Sequence, residues 1–446
     1  MVQNRKEAFF LFAGDVIILY LSLYIALLLR YFTFPDSEIL SQHLAPFSVL
    51  IIAWILIFFI MGLYEKHTML LKTSLPGTIL NAQSANTFIA VLFFYFIPYL
   101  KIAPKTNLFI YLVISFGLIL LWRLHGVRIL APLEKQKGII IGSGREMKEL
   151  MEEVNNNPRY GLQFISSIDT EEIEALDFQA EIISRIYSEE VQIIAIDLHN
   201  PKVEPILPSL YNLIFSKVKF IDMYKIYEDI FDRVPLSLVK YNWFLENISS
   251  EAHVAYDTLK RIMDILISLP LFIISLVVYP FVALAIKLES KGDVFISQQR
   301  VGRSEQLMST HKFRSMSRNE IDPLKVTDNQ VTKVGSFIRK FRIDELPQLW
   351  DVLIGNLSLI GPRPELPTAV KHYEEQIPYY SIRHLIKPGL SGWAQLYGEH
   401  AHHSADVSKT KSKLSYDLYY IKNRSLILDL KIALKTLKVL LSRSGV

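Results

Sequence analysis

Two adjacent carboxylates, Asp344 and Glu345, stand among residues of the types that bind phosphate. Basic residues come shortly before the pair, and an arginine between two prolines, at residues 361–364, follows it. Arginine binds phosphate through two parallel hydrogen bonds, and Mg²⁺ typically takes one or two carboxylates together with substrate phosphates. A carboxylate can also attack phosphorus itself. The pattern therefore indicates a Mg²⁺ site or a nucleophile aimed at phosphorus, with an ordinary acidic helix start as the alternative.

Two predicted helices position the pair. Apolar residues recur at helical spacing over residues 334–341 and again over residues 346–354. Pro347 suits the first turn of the second helix, and Gly355 suits its end. The two carboxylates are thus predicted at a helix N-terminus, where the helix dipole stabilises negative charge.

Four motifs follow one another in the C-terminal part of the chain. They are KFRSM at residues 312–316, DELPQLW at 344–350, SLIGPRPE at 358–365 and KPGLSGWAQ at 387–395. Together they resemble the bacterial sugar transferase family, the monotopic polyprenyl-phosphate phosphoglycosyl transferases, over residues 260–446. With its apolar blocks and a degenerate nucleotide-binding-like region upstream, the chain resembles the large WbaP- or WcaJ-like members.

The resemblance implies a two-step reaction. A nucleotide diphosphate sugar, usually UDP-linked, gives its sugar-1-phosphate to Asp344, and a polyprenyl phosphate, undecaprenyl phosphate, then accepts it. The resemblance also implies that Glu345 holds Mg²⁺ and that four basic residues bind substrate: Arg339, Arg363, Arg314 and Lys312. We therefore expect an undecaprenyl-phosphate hexose-1-phosphate transferase that initiates lipid-linked exopolysaccharide, capsule or O-antigen synthesis.

The composition excludes several classes of protein. The chain has 446 residues, of which 51% are hydrophobic, and it contains no cysteine. It is therefore not intrinsically disordered, and it has no disulfide scaffold, thiolate zinc site or iron–sulfur cluster. The net charge of +4 is too small to indicate a nucleic acid partner.

Four apolar blocks near the start of the chain predict membrane-spanning helices. Each runs for ~17–22 residues, and a helix of that length crosses a ~30 Å hydrocarbon core. A signal peptide is a poor alternative for the first block, because no small-residue cleavage site follows its long apolar run. Four blocks also disfavour a buried helical hairpin of a soluble protein. The blocks cover residues 8–29, 44–64, 83–100 and 106–122.

The basic residues of the loops predict the orientation. Eight of them lie on the side of the N-terminus, against two or three on the other side. The positive-inside rule then places the N-terminus and everything after residue 130 in the cytoplasm, at the bacterial inner membrane. The eight are Arg5, Lys6, Lys66, Lys72, Arg123, Arg128, Lys135 and Lys137.

A fifth apolar block, residues 265–286, has 22 residues without a charge and basic residues on both flanks. Pro270 and Pro280 each remove a backbone donor and clash with the preceding turn. We predict a re-entrant membrane helix, broken at Pro280, that enters and leaves the lipid at the cytoplasmic face. A full span is the alternative.

The middle of the chain predicts a small α/β domain. Strands at residues 137–141, 160–169, 191–197 and 219–223 alternate with helical patterns, which favours a parallel, Rossmann-like sheet. Gly142 and Gly144 follow the first strand, but the third glycine of a dinucleotide fingerprint is missing. A working nicotinamide site, a residual nucleotide-binding role and a structural or oligomerising role all stay open.

The predicted fold is a membrane protein in three parts. Residues 1–134 form a helical bundle of four spans, residues 135–255 the degenerate nucleotide-binding-like α/β domain, and residues 256–446 a mostly α monotopic catalytic domain with the re-entrant helix. Its partners are the two substrates and membrane lipids, and we expect a homodimer.

Two other functions stay as alternatives. A membrane-anchored nucleotide-sugar epimerase or dehydratase would use the domain of Gly142 and Gly144. A non-catalytic scaffold of a polysaccharide assembly complex would need neither carboxylate.

Two further features lie near the C-terminus. The histidine-rich stretch at residues 399–403 is interpreted as a loop over the active site, with a transition-metal site as the alternative. In the last predicted helix, residues 427–441, leucines oppose lysines, which suits either an anionic membrane surface or ordinary core packing.

Overall fold

The four apolar blocks at the start of the sequence form four long helices in the computed structural model. They are α1 (Arg5–Tyr31), α2 (Ser37–Ile60), α3 (Leu75–Phe96) and α4 (Lys105–Leu130). All four, together with one helix further along the chain, are long and apolar enough to cross a membrane. The chain is thus a mostly helical membrane protein, as predicted.

The structure describes residues 5–64, 75–97, 105–130, 135–157, 160–171, 183–198, 200–216, 218–248, 254–317, 331–398 and 407–442. The histidine-rich stretch at 399–403 and the loop lysines Lys66 and Lys72 lie outside these residues. The chain divides into two units, Met1–Asp229 and Ile230–Val446.

The segment after residue 229 belongs to the second unit, although the sequence pattern assigns residues up to 255 to the α/β domain. The indole nitrogen of Trp393 donates to the Asp232 carbonyl over 2.9 Å, and the Val234 amide donates to the Ser415 carbonyl over 3.1 Å. The three predicted domains stay a prediction.

Helix α3 begins at Leu75, earlier than its apolar block at residues 83–100 indicates. Polar groups of this helix pair inside the bundle: the Gln83 side chain donates to Ser115 Oγ over 3.3 Å, and the backbone carbonyl of Asn86 accepts from Trp54 Nε1 over 3.0 Å. Hydropathy alone therefore sets the helix start too late. The helix ends at Phe96, two residues before Pro98 in the sequence. A proline disfavours the α-helical conformation of the residue before it, which accounts for this end.

One charged pair joins α1 to α4 inside the bundle. The Asp15 carboxylate and the Arg123 guanidinium are both buried and form an ion pair. Arg123 also donates to the Leu63 carbonyl over 2.7 Å, and Tyr64 donates its hydroxyl proton to Asp15 over 2.8 Å. Each buried charge is thus paired and hydrogen-bonded, as burial in an apolar bundle requires.

A four-stranded parallel sheet follows the apolar helices, and all four predicted strands are confirmed. The strands are β1 (Gln136–Gly142), β2 (Leu162–Asp169), β3 (Ile193–Ile196) and β4 (Lys219–Asp222), in the order β2-β1-β3-β4. Strand β3 and β1 after its exposed first two residues consist of buried apolar residues and glycine, which is the pattern of a parallel sheet covered on both faces. The helices of this region are α5 (Gly144–Asn156), α6 (Ser184–Ser188), α7 (Leu207–Tyr211) and α8 (Met223–Phe231).

The second unit contains a hairpin, a short parallel pair and eight helices within its described residues. The strands are β5 (Phe295–Val301) antiparallel to β6 (Leu307–Phe313), and β7 (Ser358–Ile360) parallel to β8 (Gly389–Ser391). The helices are α9 (Tyr241–Asn247), α10 (Val254–Glu289), α11 (Lys333–Lys340), α12 (Gln348–Ile354), α13 (Pro367–Gln376), α14 (Trp393–Tyr397), α15 (Val407–Asn423) and α16 (Leu426–Ser442).

Helix α10 contains the fifth apolar block and runs for 36 residues with Pro270 and Pro280 inside it. The helix continues through both prolines, so the predicted break at Pro280 is absent from α10. The re-entrant course stays a prediction.

The two ends of α10 contact the two helices that flank the carboxylate pair. Near its start, Arg261 donates to the carbonyls of Val352 and Leu353, each over 2.6 Å, at the end of α12. At its last residue, the Glu289 carboxylate accepts the amides of Lys333 and Val334 over 2.6 and 2.9 Å and so caps α11. One helix therefore holds the elements on both sides of the carboxylate pair.

Glycines let the β7–β8 pair lie backbone against backbone. A Cβ on Gly361 would meet the Lys387 carbonyl at 2.6 Å, and a Cβ on Gly389 would overlap the backbone of Gly361. A Cβ on Gly392 would overlap the Gly361 carbonyl. The glycines of two sequence motifs thus fit one close contact, which fixes the loop that carries Arg363.

Helix α16 has the predicted amphipathic pattern, with its leucines outward. Leu430 and Leu437 are exposed, whereas Lys431 and Lys435 lie 4.8 and 3.8 Å above the ring centroids of Trp393 and Tyr397. The lysine stems cover aromatic rings, so ordinary core packing does not account for these two leucines.

Candidate active site

The carboxylate pair lies in a tight turn between α11 and α12. Residues Ile343–Glu345 form a single 3₁₀ turn that follows Arg342, whose backbone is left-handed at φ 56°. A left-handed non-glycine residue is uncommon and costs free energy, and here it ends α11 and redirects the chain. The predicted placement of both acids directly before α12 is confirmed.

Glu345 is bound by arginine. Arg363 donates to Glu345 Oε1 over 2.8 Å, and Arg342 lies 3.6 Å from the same oxygen. Burial alone would raise the pKa of Glu345, but these guanidiniums outweigh it and hold that pKa below its usual value. Glu345 is therefore a fixed anion.

Asp344, unlike Glu345, has an oxygen without a partner and a raised pKa. Its side chain is 8% exposed, and Oδ1 is buried with no hydrogen-bond partner among the described residues. Burial raises the pKa of Asp344 to about 6, and the adjacent Glu345 carboxylate adds to the rise. Three cations oppose it: Arg339, Lys312 and Arg342. An uncommitted oxygen in a cationic setting is available to a ligand or to a reaction partner.

Lys312 and Arg339 complete the positive surroundings of Asp344. Burial lowers the pKa of Lys312 to about 8, and the Arg300 and Arg339 guanidiniums lower it further. Arg339 is oriented by a hydrogen bond from Nε to Ser315 Oγ, at 2.8 Å. Positive charge thus exceeds negative charge here, as a site for an incoming polyanion requires.

Arg314, the fourth basic residue that the resemblance assigns to substrate, is not brought into this cluster. It is 3% exposed and donates to the carbonyls of Lys291 and Ser290 over 2.9 and 2.8 Å, just past the end of α10. A Cβ on Gly292, whose φ is +126°, would overlap this guanidinium. Arg314 therefore binds the backbone that follows α10.

Two arginines that the sequence pattern did not single out for the site hold the loop of Arg363. Arg300 donates to the Pro364 carbonyl over 3.2 Å, and Arg383 donates to the Arg363 carbonyl over 3.0 Å. Arg383 is 6% exposed and pairs with Asp417 at 2.9 Å. Their partners are 20 to 64 residues away in the chain, so no local pattern reveals them.

A second anchor fixes the position of Lys312. Asp351, fully buried in α12, accepts the His311 amide over 2.8 Å and contacts His311 Nδ1 at 2.7 Å. This pair ties β6 to α12 one residue before Lys312. The sequence pattern predicts Asp351 only as an acid inside a helix and does not indicate its partner His311 on the hairpin.

The residues present fit a Mg²⁺ ion. Mg²⁺ takes hard oxygen ligands and usually one or two carboxylates with substrate phosphates. The pair offers that set, with a buried Asp344 oxygen that has no partner among the described residues and a Glu345 carboxylate that is held as an anion.

The edge of the parallel sheet has a different chemistry. Gly142 and Gly144 flank the turn after β1, and the α5 N-cap residue Ser143 makes no side-chain cap. Burial raises the pKa of Tyr224 next to β4, and Asp197, at the end of β3, and Asp222 add to the rise. Carboxylates at this edge repel a pyrophosphate, which counts against a dinucleotide site there.

The model of the family described as bacterial sugar transferase matches residues 255–443. A UDP-N-acetylgalactosamine-undecaprenyl-phosphate N-acetylgalactosaminephosphotransferase of Aeromonas hydrophila is 45% identical over 197 residues, 43% of this chain and 45% of that protein. A UDP-glucose:undecaprenyl-phosphate glucose-1-phosphate transferase of Escherichia coli is 37% identical over 182 residues, 40% of this chain and 39% of that protein.

A smaller relative is covered almost entirely. The exopolysaccharide production protein PSS of Rhizobium leguminosarum is 36% identical over 193 residues, 42% of this chain and 96% of that protein. The fold and the site define an enzyme-like unit built around paired acids and arginines. The chain belongs to the bacterial sugar transferase family, and its match to the two larger relatives spans less than half of their length.

Proposed function

We propose that this chain transfers sugar-1-phosphate from a nucleotide diphosphate sugar, a UDP-linked hexose or N-acetylhexosamine, to undecaprenyl phosphate. The observation that carries the proposal is the contrast within the acidic pair. Glu345 is bound to Arg363, whereas the buried Oδ1 of Asp344 is uncommitted among cations. The names of the relatives support the choice of substrates.

In the first step, an Asp344 oxygen attacks the phosphorus that bears the sugar. The bond from that phosphorus to the nucleoside monophosphate breaks, and UMP leaves with the bond's electron pair. Lys312, Arg339 and Arg363 offset the charge of the diphosphate, without which two anions would repel by about 4 kcal/mol at 4 Å in a medium of dielectric ~20. The product is an acyl phosphate, the mixed anhydride of the Asp344 carboxylate with the sugar-1-phosphate.

In the second step, an oxygen of undecaprenyl phosphate attacks the same phosphorus and releases the Asp344 carboxylate. When bound, Mg²⁺ supplies positive charge to the phosphate oxygens, and Glu345 is the residue we propose to hold it. Arg363 keeps Glu345 oriented, and Arg342 adds a second positive charge beside it. The lipid-linked sugar diphosphate would initiate exopolysaccharide, capsule or O-antigen synthesis.

The contacts of α10 support an active site at one face of the membrane. Arg261 and Glu289 are 28 residues apart, about 42 Å along a straight helix, and both hold elements of the same unit. A straight crossing of a ~30 Å hydrocarbon core would divide that unit between the two sides. We therefore propose that both ends of α10 lie at the same face, with a bend in the stretch of Pro270 and Pro280.

We propose that this face is the cytoplasmic face of the bacterial inner membrane. The excess of basic residues in the loops on the side of the N-terminus supports that orientation. The outward leucines of α16, Leu430 and Leu437, suit contact with lipid. We also propose that the chain forms a homodimer. The molecular mass of the protein in detergent tests this.

The test is nucleotide release across a panel of UDP-sugars. The full chain in detergent is given Mg²⁺, each UDP-sugar in turn and undecaprenyl phosphate, and UMP and lipid-linked sugar are measured. We expect UMP with one or a few donors, and a phosphosugar adduct on Asp344 by mass spectrometry when the lipid is omitted.

Asp344→Asn is the critical variant, with Asp293→Asn, an exposed acid of the same unit, as the matched control. We expect Asp344→Asn to lose at least ~10³-fold in rate, about 4 kcal/mol, while the control keeps its activity. Lipid-linked product from Asp344→Asn at the wild-type rate would overturn the nucleophile. Unchanged polymer output after loss of both acids would favour the scaffold instead.

A further inference from the structure

A cavity of about 90 Å³ in the second unit lies outside the proposed reaction. Side chains from the start of α10, from the segment before β8 and from the junction of α15 and α16 line it. Its charged lining is mostly positive. The basic residues are Lys260, Arg261, Arg303, Lys387 and Arg424, and the acidic residues are Asp257 and Asp264.

Three of the five cations already have partners. Lys260 pairs with Asp429 at 2.8 Å, and Arg424 lies 3.7 Å from Asp257. Arg261 donates to the two carbonyls at the end of α12. The remaining acid, Asp264, accepts the Leu359 amide over 3.0 Å. The lining acids are thus engaged by other groups.

Lys387 and Arg303 are the other two basic residues of the lining. Neither has an ion pair within the part of the chain that the structure describes. Burial lowers the pKa of Lys387, the Arg261 and Arg303 guanidiniums lower it further, and the Asp264 and Asp257 carboxylates oppose this shift only in part. Ser358, 1% exposed and also part of the lining, has a buried Oγ with no hydrogen-bond partner among the described residues. Arg303 is exposed and Lys387 is half-buried, so both are accessible to a bound anion, which would also satisfy the buried Ser358 hydroxyl.

The surroundings favour an anion that belongs to a lipid. Lys260 and Arg261 come directly before the apolar stretch of α10, at the level where that helix would enter the hydrocarbon. Helix α10, which lines the cavity, carries the exposed apolar side chains Ile262 and Leu266. Helix α16, which begins two residues after the lining residue Arg424, carries the exposed Ile427. A phosphate in the cavity could therefore keep its acyl chains against apolar surface.

We propose that this cavity binds the phosphate group of an anionic membrane phospholipid. Its position separates it from the reacting carboxylate. Arg261 contacts the last residues of α12, whereas Asp344 precedes the first, and α12 has seven residues, about 10 Å of helix. A phosphate held there is not in reach of Asp344. The site anchors the unit to lipid and does not depend on the proposed chemistry.

The experiment counts and titrates bound lipid without substrates present. The full chain in nonionic detergent is titrated with phosphatidylglycerol, and native mass spectrometry gives the number and affinity of bound molecules. Phosphatidylcholine, inorganic phosphate and undecaprenyl phosphate are the comparison probes. The test variant is Lys387→Gln with Arg303→Gln. Its control is Lys371→Gln with Lys340→Gln, two exposed lysines of the same unit that do not line the cavity.

We expect one tight phosphatidylglycerol per chain, with ~10-fold weaker affinity in the test variant and unchanged affinity in the control. Equal affinity in the test variant and the wild type would overturn the site. Displacement of the lipid by inorganic phosphate at similar concentration would assign the cavity to free phosphate and overturn the lipid assignment. Displacement one-for-one by undecaprenyl phosphate at lower concentration would do the same in favour of the acceptor.

Discussion

Arg363 donates to Glu345 Oε1 over 2.8 Å, and this contact makes two adjacent carboxylates unequal. The arginine lies between two prolines in a loop that three glycines allow to pack closely. Because Arg363 compensates Glu345, the neighbouring acid keeps an oxygen free without leaving two uncompensated charges side by side. The partner of each acid, more than its position in the turn, therefore determines which of the two can react.

Replacement of Arg363 by lysine should weaken donor turnover. Lysine keeps the charge but loses the planar fork that binds Glu345 and phosphate. We expect kcat/KM for the UDP-sugar to fall ~10–100-fold, which corresponds to the loss of about 1.5–3 kcal/mol from one charged hydrogen bond. Steady-state UMP release measures it, with Lys340→Gln, on the exposed side of α11, as the control. An unchanged kcat/KM would contradict the role.

Glu345→Gln should raise the requirement for Mg²⁺. The amide keeps the shape of the side chain but removes the anion that a hard cation prefers. We expect EDTA to stop UMP release in the wild type, Mg²⁺ to restore it, and the half-maximal Mg²⁺ concentration to rise ~10-fold or more in the variant. Glu375→Gln, an exposed acid on α13, is the control. Identical Mg²⁺ curves for both variants would remove Glu345 as the ligand.

Local patterns in the sequence predicted most elements of the site. The turn between two helices, the glycine end of α12 at Gly355 with φ 94°, and the strands of the sheet all follow from periodicity and capping within a few residues. These features depend on the backbone, so neighbouring residues determine them.

The roles of single arginines could not be predicted in this way. Arg314 stands in a motif beside Lys312, yet its guanidinium binds the carbonyls after α10. Arg300 and Arg383 reach the loop of Arg363 from elsewhere in the unit. Which group a long side chain contacts depends on packing between distant segments, and one sequence carries no local sign of that.

Gly389→Ala should destabilise the second unit. Its Cβ would overlap the backbone of Gly361, which cannot move without opening the β7–β8 pair. We expect a loss of about 1–3 kcal/mol or more in the free energy of unfolding, seen as a lower melting temperature in detergent, with a parallel loss of activity. Gly77→Ala in α3 is the matched control, because nothing lies within 4 Å of its added Cβ. Equal melting temperatures would show that the two strands tolerate separation.

Removal of one member of the Asp15–Arg123 pair should cost more than removal of both. A single substitution, Asp15→Asn or Arg123→Gln, leaves a buried charge uncompensated, at about 3–5 kcal/mol. The double variant leaves no buried charge, so its loss should be smaller than the loss from either single substitution. Melting temperatures of all three in detergent measure the coupling. Arg30→Gln, exposed in the last turn of α1, is the control. Additive losses would mean that the pair is not coupled.

His384 should make the second unit less stable in acid. Its ring is 7% exposed, and Nδ1 is buried without a hydrogen-bond partner among the described residues. Burial lowers the pKa of His384 to about 4, and the adjacent Arg383 guanidinium lowers it further, whereas an unfolded histidine has its usual value near 6.5. Between these values the unfolded chain binds more protons than the folded chain.

The stability contributed by the neutral ring is therefore complete above about pH 6.5 and is lost as the pH falls towards 4, by up to about 3 kcal/mol. We expect the melting temperature of the wild type to fall over this range more steeply than that of His384→Gln, which cannot take up the proton. His372→Gln, on α13, is the matched control and should follow the wild type. If the wild type and His384→Gln show the same slope, the protonation of this ring does not govern acid stability.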